Sequence, residues 1–230
     1  MNQPERNPLA HFALPDSIED QMDQSEYWDR VAEKKNFTTP FHMEEFSKVT
    51  RTEDRILDYG CGYGRTLAEL KDAGYRNLTG VDSSPMILER GSREHPDLTL
   101  FLMNHNYIPF DNNSFDAVLL LAVLTCVPRD SDQLQIMGEI QRVLRPGGVL
   151  YINDFMINSD ERNRQRYAKA PAGFPYGVFT VPEGCILRHH TREWIQNLTR
   201  PFDTILYQEE EFETMNGHTG WGFCFMGRTE

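Results

Sequence analysis

The chain has 230 residues, of which 39% are hydrophobic, enough for one domain with an ample core. Its formal net charge of −12 argues against nucleic acid and against an anionic membrane surface as partners. The sequence has no recognisable signal peptide and no apolar stretch of the ~20 residues needed to span a bilayer, and its four scattered cysteines favour a reducing, cytoplasmic setting.

The start of the chain is polar and contains prolines, and its composition differs from that of the rest. Residues 1–24 predict a flexible N-terminal tail, and residues 25–230 predict a single domain. A helix is expected from Ser25, with Ser25 as its cap, and a second helix around Met43–Val49. Residues 25–50 therefore predict a small helical cap.

The stretch Arg55–Leu70 changes from a short apolar strand to a helix through three alternating glycines. Asp58 closes the strand, and Gly60, Gly62 and Gly64 follow it. Glycine allows positive φ and close approach of a ligand, and the helix start offers unpaired N–H groups. The pattern is typical of a nucleotide pocket in an open α/β sheet, although glycine-rich turns without a ligand also produce it.

A second strand, Leu78–Asp82, ends in a carboxylate. Asp82 follows Gly60 at the spacing, roughly 20 residues, where an acid at the end of the second strand holds two ribose hydroxyls. Ser83 comes directly after it, and Ser84 with Pro85 predicts the capped start of the next helix. The two stretches together favour a bound nucleoside.

Strands and helices then alternate along the chain. Strands are predicted at Leu98–Leu102, Phe115–Leu121 and Val149–Ile152, with a helix over Ser131–Leu144. Such alternation predicts a parallel, doubly wound α/β sheet.

The remainder of the chain has a different pattern. Residues 155–190 form a long, irregular, polar stretch that predicts a lid or substrate-binding insertion. A helix follows at Arg192–Leu198. Strands at Phe202–Phe212 and Trp221–Arg228 then predict an antiparallel C-terminal hairpin.

The motifs D-Y-G-C-G-Y-G-R and G-V-D-S-S resemble those of class I S-adenosylmethionine (SAM)-dependent methyltransferases, which carry an acid and G-x-G-x-G. A dinucleotide-binding fold would prefer G-x-G-x-x-G, whereas here Gly64 comes one position early and Arg65 follows. The resemblance implies a doubly wound, mostly parallel seven-stranded Rossmann-like sheet with an antiparallel C-terminal hairpin and a small helical and loop cap. It also implies SAM as cofactor, S-adenosylhomocysteine (SAH) as product, and no metal.

The resemblance assigns cofactor contacts at the ends of the strands. The glycines would pass under the amino acid part of SAM, Asp58 would order their loop, and Arg65 would pair with the cofactor carboxylate. Asp82 would hold the ribose diol. Met86 would lie against adenine, or pack in the core. The adenine amino group would meet Asn104, or its neighbour His105 or Asn106, and the sulfonium region would be flanked by Leu121 and Ala122.

Methyl transfer requires alignment of nucleophile, methyl and sulfur, and a base helps when the acceptor is a hydroxyl or a protonated amine. Candidate catalytic bases are Asp154, His189 and His190, although such side chains are more often structural. Further residues are expected around the acceptor, either in contact with it, caging the sulfonium, or simply packed: Tyr27, Trp28, Phe37, Tyr176 and His218.

The leading hypothesis is a SAM-dependent methyltransferase acting on an O or N atom of a small molecule. A heteroaromatic metabolite of a biosynthetic pathway is the acceptor that the resemblance suggests, with the enzyme a monomer or homodimer. The alternatives are an NAD-dependent oxidoreductase and a non-catalytic SAM-binding module.

Overall fold

The computed structural model describes residues 24–103 and 107–230. The predicted tail therefore lies outside the described residues except for Gln24. The strands are β1 Arg55–Tyr59, β2 Asn77–Asp82, β3 Thr99–Leu102, β4 Phe115–Leu121, β5 Leu144–Phe155, β6 Val178–Thr180, β7 Ile186–Arg188, β8 Phe202–Glu213 and β9 Thr219–Thr229. The helices are α1 Ser25–Val31, α2 Met43–Ser47, α3 Arg65–Asp72, α4 Pro85–Glu94, α5 Asp130–Val143, α6 Glu161–Tyr167 and α7 Arg192–Thr199.

Seven strands form one sheet in the order β3-β2-β1-β4-β5-β9-β8. Strands β1 to β5 pair in parallel, whereas β9 pairs antiparallel with both β5 and β8. The predicted doubly wound, mostly parallel seven-stranded sheet with an antiparallel C-terminal hairpin is thus confirmed. The strand order reverses between β1 and β4, and the carboxyl ends of the strands beside this switch point form the edge where such sheets bind ligands.

The core lies on both faces of this sheet. Strand β4 is buried over its first six residues, which explains why its sequence is a continuous apolar run instead of an alternating one. On one face it packs with Ile136 and Ile140 of α5, and on the other with Leu67 and Leu70 of α3. These helices fix where the loops after β1 and β4 emerge.

The N-terminal cap is held to the sheet by polar contacts. In α1, Asp29 accepts hydrogen bonds from Ser84 Oγ at 2.5 Å and Met86 N at 3.1 Å. Arg90 of α4 donates to the carbonyl oxygens of Ala32 at 2.9 Å and Lys35 at 2.7 Å. The cap thereby lies over the carboxyl ends of β1 and β2.

The starts of α1 and β5 differ from the prediction in ways that have a structural reason. Gln24, and not Ser25, is the N-cap of α1, with no side-chain hydrogen bond to the cap. Strand β5 begins at Leu144 and not at the predicted Val149, because residues 144–148 already form an irregular start of the strand beside β4.

The insertion after β5 is partly regular. It contains α6 and a two-stranded sheet of β6 and β7, which pair antiparallel. Met156 and His190 form an isolated bridge that ties this insertion back to the end of β5. Within residues 24–103 and 107–230, no helix is long and apolar enough to cross a membrane.

Candidate active site

A cavity of about 520 Å³ opens at the carboxyl ends of the central strands. Its floor is made by the ends of β1, β2 and β4, and its roof by the N-terminal cap and the insertion after β5. Lys35 Nζ closes one side by donating to Asn216 Oδ1 in the β8–β9 turn at 2.8 Å. The size lies within the range of small-molecule and cofactor sites.

Asp82 lies at the cavity floor, where β2 ends. One carboxylate oxygen accepts from Gly62 N and the other from Ser84 N, each at 2.9 Å. Burial raises the pKa of Asp82, while these backbone N–H groups oppose the shift. A carboxylate has about four lone-pair sites, so the two oxygens retain capacity for two ligand hydroxyls.

Asp58, at 2% exposure, also lines the cavity. Its carboxylate accepts no hydrogen bond from any residue in the described part of the chain. The loop is instead ordered by the Val81 carbonyl, which receives Gly60 N at 2.8 Å and Cys61 N at 3.0 Å, and by Asp82. The expectation that Asp58 orders the loop is therefore wrong, and its oxygens are left for a donor from the cavity.

Burial raises the pKa of Asp58 from 3.8 to about 8, against the opposing charge of Arg65. Between pH 4 and pH 8, roughly, the Asp58 carboxyl is protonated in the folded protein but ionised in the unfolded chain. The free energy of unfolding therefore decreases as the pH rises through this range. We expect Asp58→Asn without ligand to gain stability relative to wild type across this window and to run parallel to it above about pH 8. Urea unfolding at pH 5, 7 and 9 measures the difference.

Asp72→Asn, at the exposed end of α3, is the matched control for this comparison. Its stability difference from wild type should stay nearly constant over the same pH range. A constant difference for Asp58→Asn as well would contradict the elevated pKa of Asp58.

The three glycines have different surroundings. Gly60 lines the cavity, whereas Gly62 and Gly64 do not. Gly62 has φ +56°, and a Cβ there would fall 2.1 Å from the ring of Phe37; at Gly64 it would meet Leu98 at 2.8 Å. Of the three glycines predicted to pass under the ligand, only Gly60 lies where a ligand in the cavity could meet it, because the other two make room for packing side chains.

Arg65 lines the cavity, but its terminal nitrogens already have partners. One donates to Glu69 at 2.7 Å and the other to the Thr39 carbonyl at 2.6 Å. The guanidinium therefore connects α3 to the cap segment, and the predicted pairing with a ligand carboxylate would use its remaining N–H groups.

The residues predicted to contact adenine do not all lie where the prediction placed them. Asn104 and His105 lie outside the described residues, as does Asn106. Met86 is 42% exposed and does not line the cavity, because the first turn of α4 directs this side chain to solvent, so its assignment is wrong. Leu102 and Met103, at the end of β3, line the cavity at that edge of the sheet.

Several other predicted residues do line the cavity. Ala122 follows β4 with φ +54°, unusual for a residue with a Cβ, and its N–H is held by the Asn153 carbonyl at 2.8 Å. Phe37 stacks on Tyr63, which fixes the cap ring beside the glycine loop. The predicted residues found in the lining, besides those already described, are Tyr27, Trp28, Phe37, Ser83, Leu121, Ala122 and His218.

Two of the three candidate bases are structural. Asp154 is fully buried outside the cavity lining, where burial raises its pKa to about 7 and the N–H groups of Phe155 and Thr125 bond it at 2.7 and 3.2 Å. His190, also fully buried, bonds the Phe155 carbonyl through Nδ1 at 3.0 Å and Gln133 through Nε2 at 2.9 Å. The structure thus places neither predicted base in the cavity lining, and both side chains are engaged in hydrogen bonds within the fold.

His189 does line the cavity, stacked on Phe155. Its Nδ1 lies 2.6 Å from the Tyr167 hydroxyl and 3.4 Å from Asn158 Nδ2. The Tyr167 oxygen already accepts Asn158 N at 3.1 Å, so its own hydrogen is available for Nδ1. Because Nδ1 faces two donors, we assign the proton of the neutral ring to Nε2.

Burial and the charges of Arg166 and Arg162 lower the pKa of His189 to about 3. A histidine with a pKa this low is a poor general base at neutral pH. His189 is thus a hydrogen-bond donor at the cavity wall, which corrects its predicted role.

The sequence reasoning placed Tyr176 at the acceptor, but its side chain is 60% exposed and lies outside the lining, against Tyr167. It missed Arg162 and Arg166, which line the cavity from α6. Their spacing of four residues could have identified them from the sequence, because it puts both side chains on one face of a helix.

Comparisons with known proteins agree with the fold. Residues 57–152 match the family described as methyltransferase domain. A structure of a SAM-dependent methyltransferase from Methanosarcina mazei superposes with a TM-score of 0.76 and 27% identity, over 80% of this chain and 96% of that one. Residues 57–152 therefore match a methyltransferase domain, and the sheet around them has the fold of a SAM-dependent methyltransferase structure.

Two curated relatives act on different acceptors. The eEF1A lysine and N-terminal methyltransferase of Xenopus laevis is 33% identical over 111 residues, covering 44% of this chain and 16% of the relative. The sterol 4-C-methyltransferase of Caenorhabditis elegans is 24% identical over 192 residues, covering 80% of this chain and 54% of the relative. The chain therefore spans from about a sixth to about half of the length of these relatives.

Proposed function

We propose that the protein transfers the methyl group of SAM to an oxygen or nitrogen atom of a small-molecule acceptor. The observation that carries this proposal is a single cavity that runs from Asp82 and Asp58 at the strand ends to His189 and α6 in the insertion. Such a cavity has room for a nucleoside on one side and an acceptor on the other. SAM supplies the reactive methyl group on its sulfonium, and the protein has to align it with the acceptor.

The buried carboxylates fit the cofactor. Asp82, with lone pairs left after its two backbone bonds, would hold the ribose hydroxyls. Asp58 has no partner within the described ranges and would accept from the cofactor's ammonium group, which would also favour its ionised form. Leu102 and Met103 would lie beside the adenine. The two carboxylates would thus use hydrogen-bonding capacity that the folded chain leaves wholly or partly free.

The roof of the cavity favours a small acceptor over a protein. Gln24 at the start of α1 bonds the carbonyls of Cys126 at 2.7 Å and Ile186 at 2.9 Å, and Lys35 bonds Asn216. These bonds enclose the acceptor side, where a protein substrate would need an open groove. Because the relative from Xenopus laevis is a lysine methyltransferase, a lysine side chain is the second candidate acceptor. The sterol methyltransferase supports a small-molecule acceptor.

The aromatic walls favour an acceptor with a flat ring. Phe155 and Phe179 line the acceptor side and flank the His189 ring. A heteroaromatic metabolite would stack on such walls. That choice rests on the resemblance as well as on these rings.

Two other functions compete with this proposal. An NAD-dependent oxidoreductase would bind NADH in the same cavity, although the early third glycine and the antiparallel β9 count against it. A non-catalytic SAM-binding module would use the same cofactor contacts without turnover.

Titration calorimetry with SAH and with NADH, followed by an SAH-release assay across a panel of small metabolites, tests the proposal. Micromolar SAH binding, no NADH binding and turnover with a small acceptor are expected. SAH binding without turnover on the panel or on a lysine peptide would favour the binding module. NADH binding without SAH binding would overturn the proposal.

A further inference from the structure

The acceptor side of the cavity carries two positive charges on α6. Arg162 and Arg166 both line it, because residues four apart share a face of a helix. Arg164 lies on the other face, exposed and paired with Glu161 at 2.7 Å. The helix thus directs two of its three guanidinium groups to the cavity, in a chain whose net charge is −12.

These two guanidinium groups are poorly neutralised. Arg166 has only Asn163 Oδ1 at 3.4 Å and the ring of Phe179, 5.2 Å from the guanidinium carbon, with no carboxylate within 4 Å among the described residues. Arg162 reaches Asp160 only at 4.0 Å, and Asp160 already accepts from Asn163 N at 3.1 Å as the cap of α6. Among the described residues, Arg166 therefore has no ion pair and Arg162 has only this long one.

The positions of Arg162 and Arg166 are electrostatically unfavourable, and a bound anion would remove this unfavourable interaction. Burial lowers the pKa of Arg166, and the charge of Arg162 lowers it further. Two like charges that share a partly buried wall repel each other, and a negative group between them converts this repulsion into attraction. Guanidinium groups also match the planar fork of a carboxylate.

The neighbouring groups define the rest of the ligand. His189 adds an N–H donor on the same wall, and Phe155 and Phe179 add apolar surface. Glu183 is exposed, lines the same cavity and attracts Arg166 electrostatically, so its negative charge favours a ligand with one negative charge over a ligand with two. The wall therefore suits an apolar or aromatic body that carries one ionised acid group.

We propose that the acceptor is a small carboxylic acid whose carboxylate is bound by Arg162 and Arg166, with its apolar body on Phe155 and Phe179. This inference rests on the proposed function and names the substrate class of the same cavity. The carboxylate anchors the acceptor from the lid, and the atom to be methylated then extends towards the strand ends.

The test compares acids with their neutral amides by calorimetry. Benzoate, phenylacetate, trans-cinnamate and octanoate are each titrated beside the corresponding carboxamide into the full chain, with and without SAH. In the wild type, at least one acid should bind about tenfold to a hundredfold more tightly than its amide, as expected for charge-assisted bonds. In Arg166→Met this preference should fall to about threefold or less.

Arg164→Met is the matched control, since it removes a guanidinium from the same helix but outside the cavity, and it should keep the wild-type preference. Arg162→Met is a second test variant, used also if Arg166→Met fails to melt cooperatively. SAH titrations of all variants should be unchanged, because neither arginine of the cavity wall is assigned to the cofactor.

Three results would overturn the inference. These are an absence of any acid that binds more tightly than its amide, a full preference retained in both cavity variants, and tighter binding of phenyl phosphate than of every acid. Failure of the wild type to bind SAH would count against the methyltransferase proposal alone, since the acid preference is also measured without SAH.

Discussion

Replacing Asp82 with alanine is expected to weaken SAH binding by at least about a hundredfold. The carboxylate would lose two charge-assisted hydrogen bonds to the ribose, each worth about 1.5–3 kcal/mol. It would also lose its bonds to Gly62 N and Ser84 N, which order the glycine loop and the start of α4. Titration calorimetry with SAH measures the change.

Asp82→Asn is the graded control for this experiment. The amide retains one acceptor oxygen but loses the charge, so its affinity should fall between those of the alanine variant and the wild type. Thermal melting without ligand separates a loosened loop from a lost contact. Affinity of Asp82→Ala within about threefold of wild type would remove Asp82 from the cofactor site.

The second large effect concerns stability in acid. Burial is the main cause that lowers the pKa of His190 to about 3, so this ring stays neutral in the folded protein at pH 5 while it is protonated in the unfolded chain. The unfolded state then binds the extra proton, and stability is lost as pH falls below about 6.5. His190 alone should withdraw about 2 kcal/mol of unfolding free energy between pH 6.5 and pH 5.

The buried carboxylates complicate the raw pH profile, because the raised pKa values of Asp58 and Asp154 act in the opposite direction. The measurement is therefore the difference between His190→Gln and wild type in urea unfolding at pH 6.5 and pH 5. This difference should move by about 2 kcal/mol in favour of the variant on acidification. His218→Gln, in the exposed β8–β9 turn, is the control and should show no such movement. An equal response of the two variants would show that His190 is not held neutral.

The sheet could be predicted from the sequence because its signals are local. A buried parallel strand such as β4 appears as a continuous apolar run, and the change of period after Gly64 marks the start of a helix. The position of Asp82 in the cavity lining could be predicted for a related reason, because the end of a strand fixes where its last residue lies relative to the glycine loop.

The catalytic side could not be predicted in the same way. Asp154 and Phe155 are neighbours in β5, yet only Phe155 lines the cavity, because successive side chains point to opposite faces of a strand. The sequence does not say which face is open. Met86 was assigned wrongly for a similar reason, since either face of the first turn of α4 could have faced the ligand.

The role of His189 depended on contacts between distant parts of the chain. Its Nδ1 is occupied by Tyr167, which belongs to α6, and its ring lies on Phe155. Only the folded insertion brings these groups together, and they turn a candidate base into a hydrogen-bond donor.

The position of β9 in the sheet has a consequence for how the chain folds. Residues 222–228 pair with residues 149–155, and Phe223 and Phe225 enter the core from this late strand. The cofactor edge is encoded much earlier, by residues 55–122. Until β9 is inserted, β5 has an unpaired edge and β8 has no neighbour, so the nascent chain presents an open strand to other molecules. Because β9 closes long loops when it pairs, its docking should limit the folding rate, and a partly synthesised chain should be prone to aggregation.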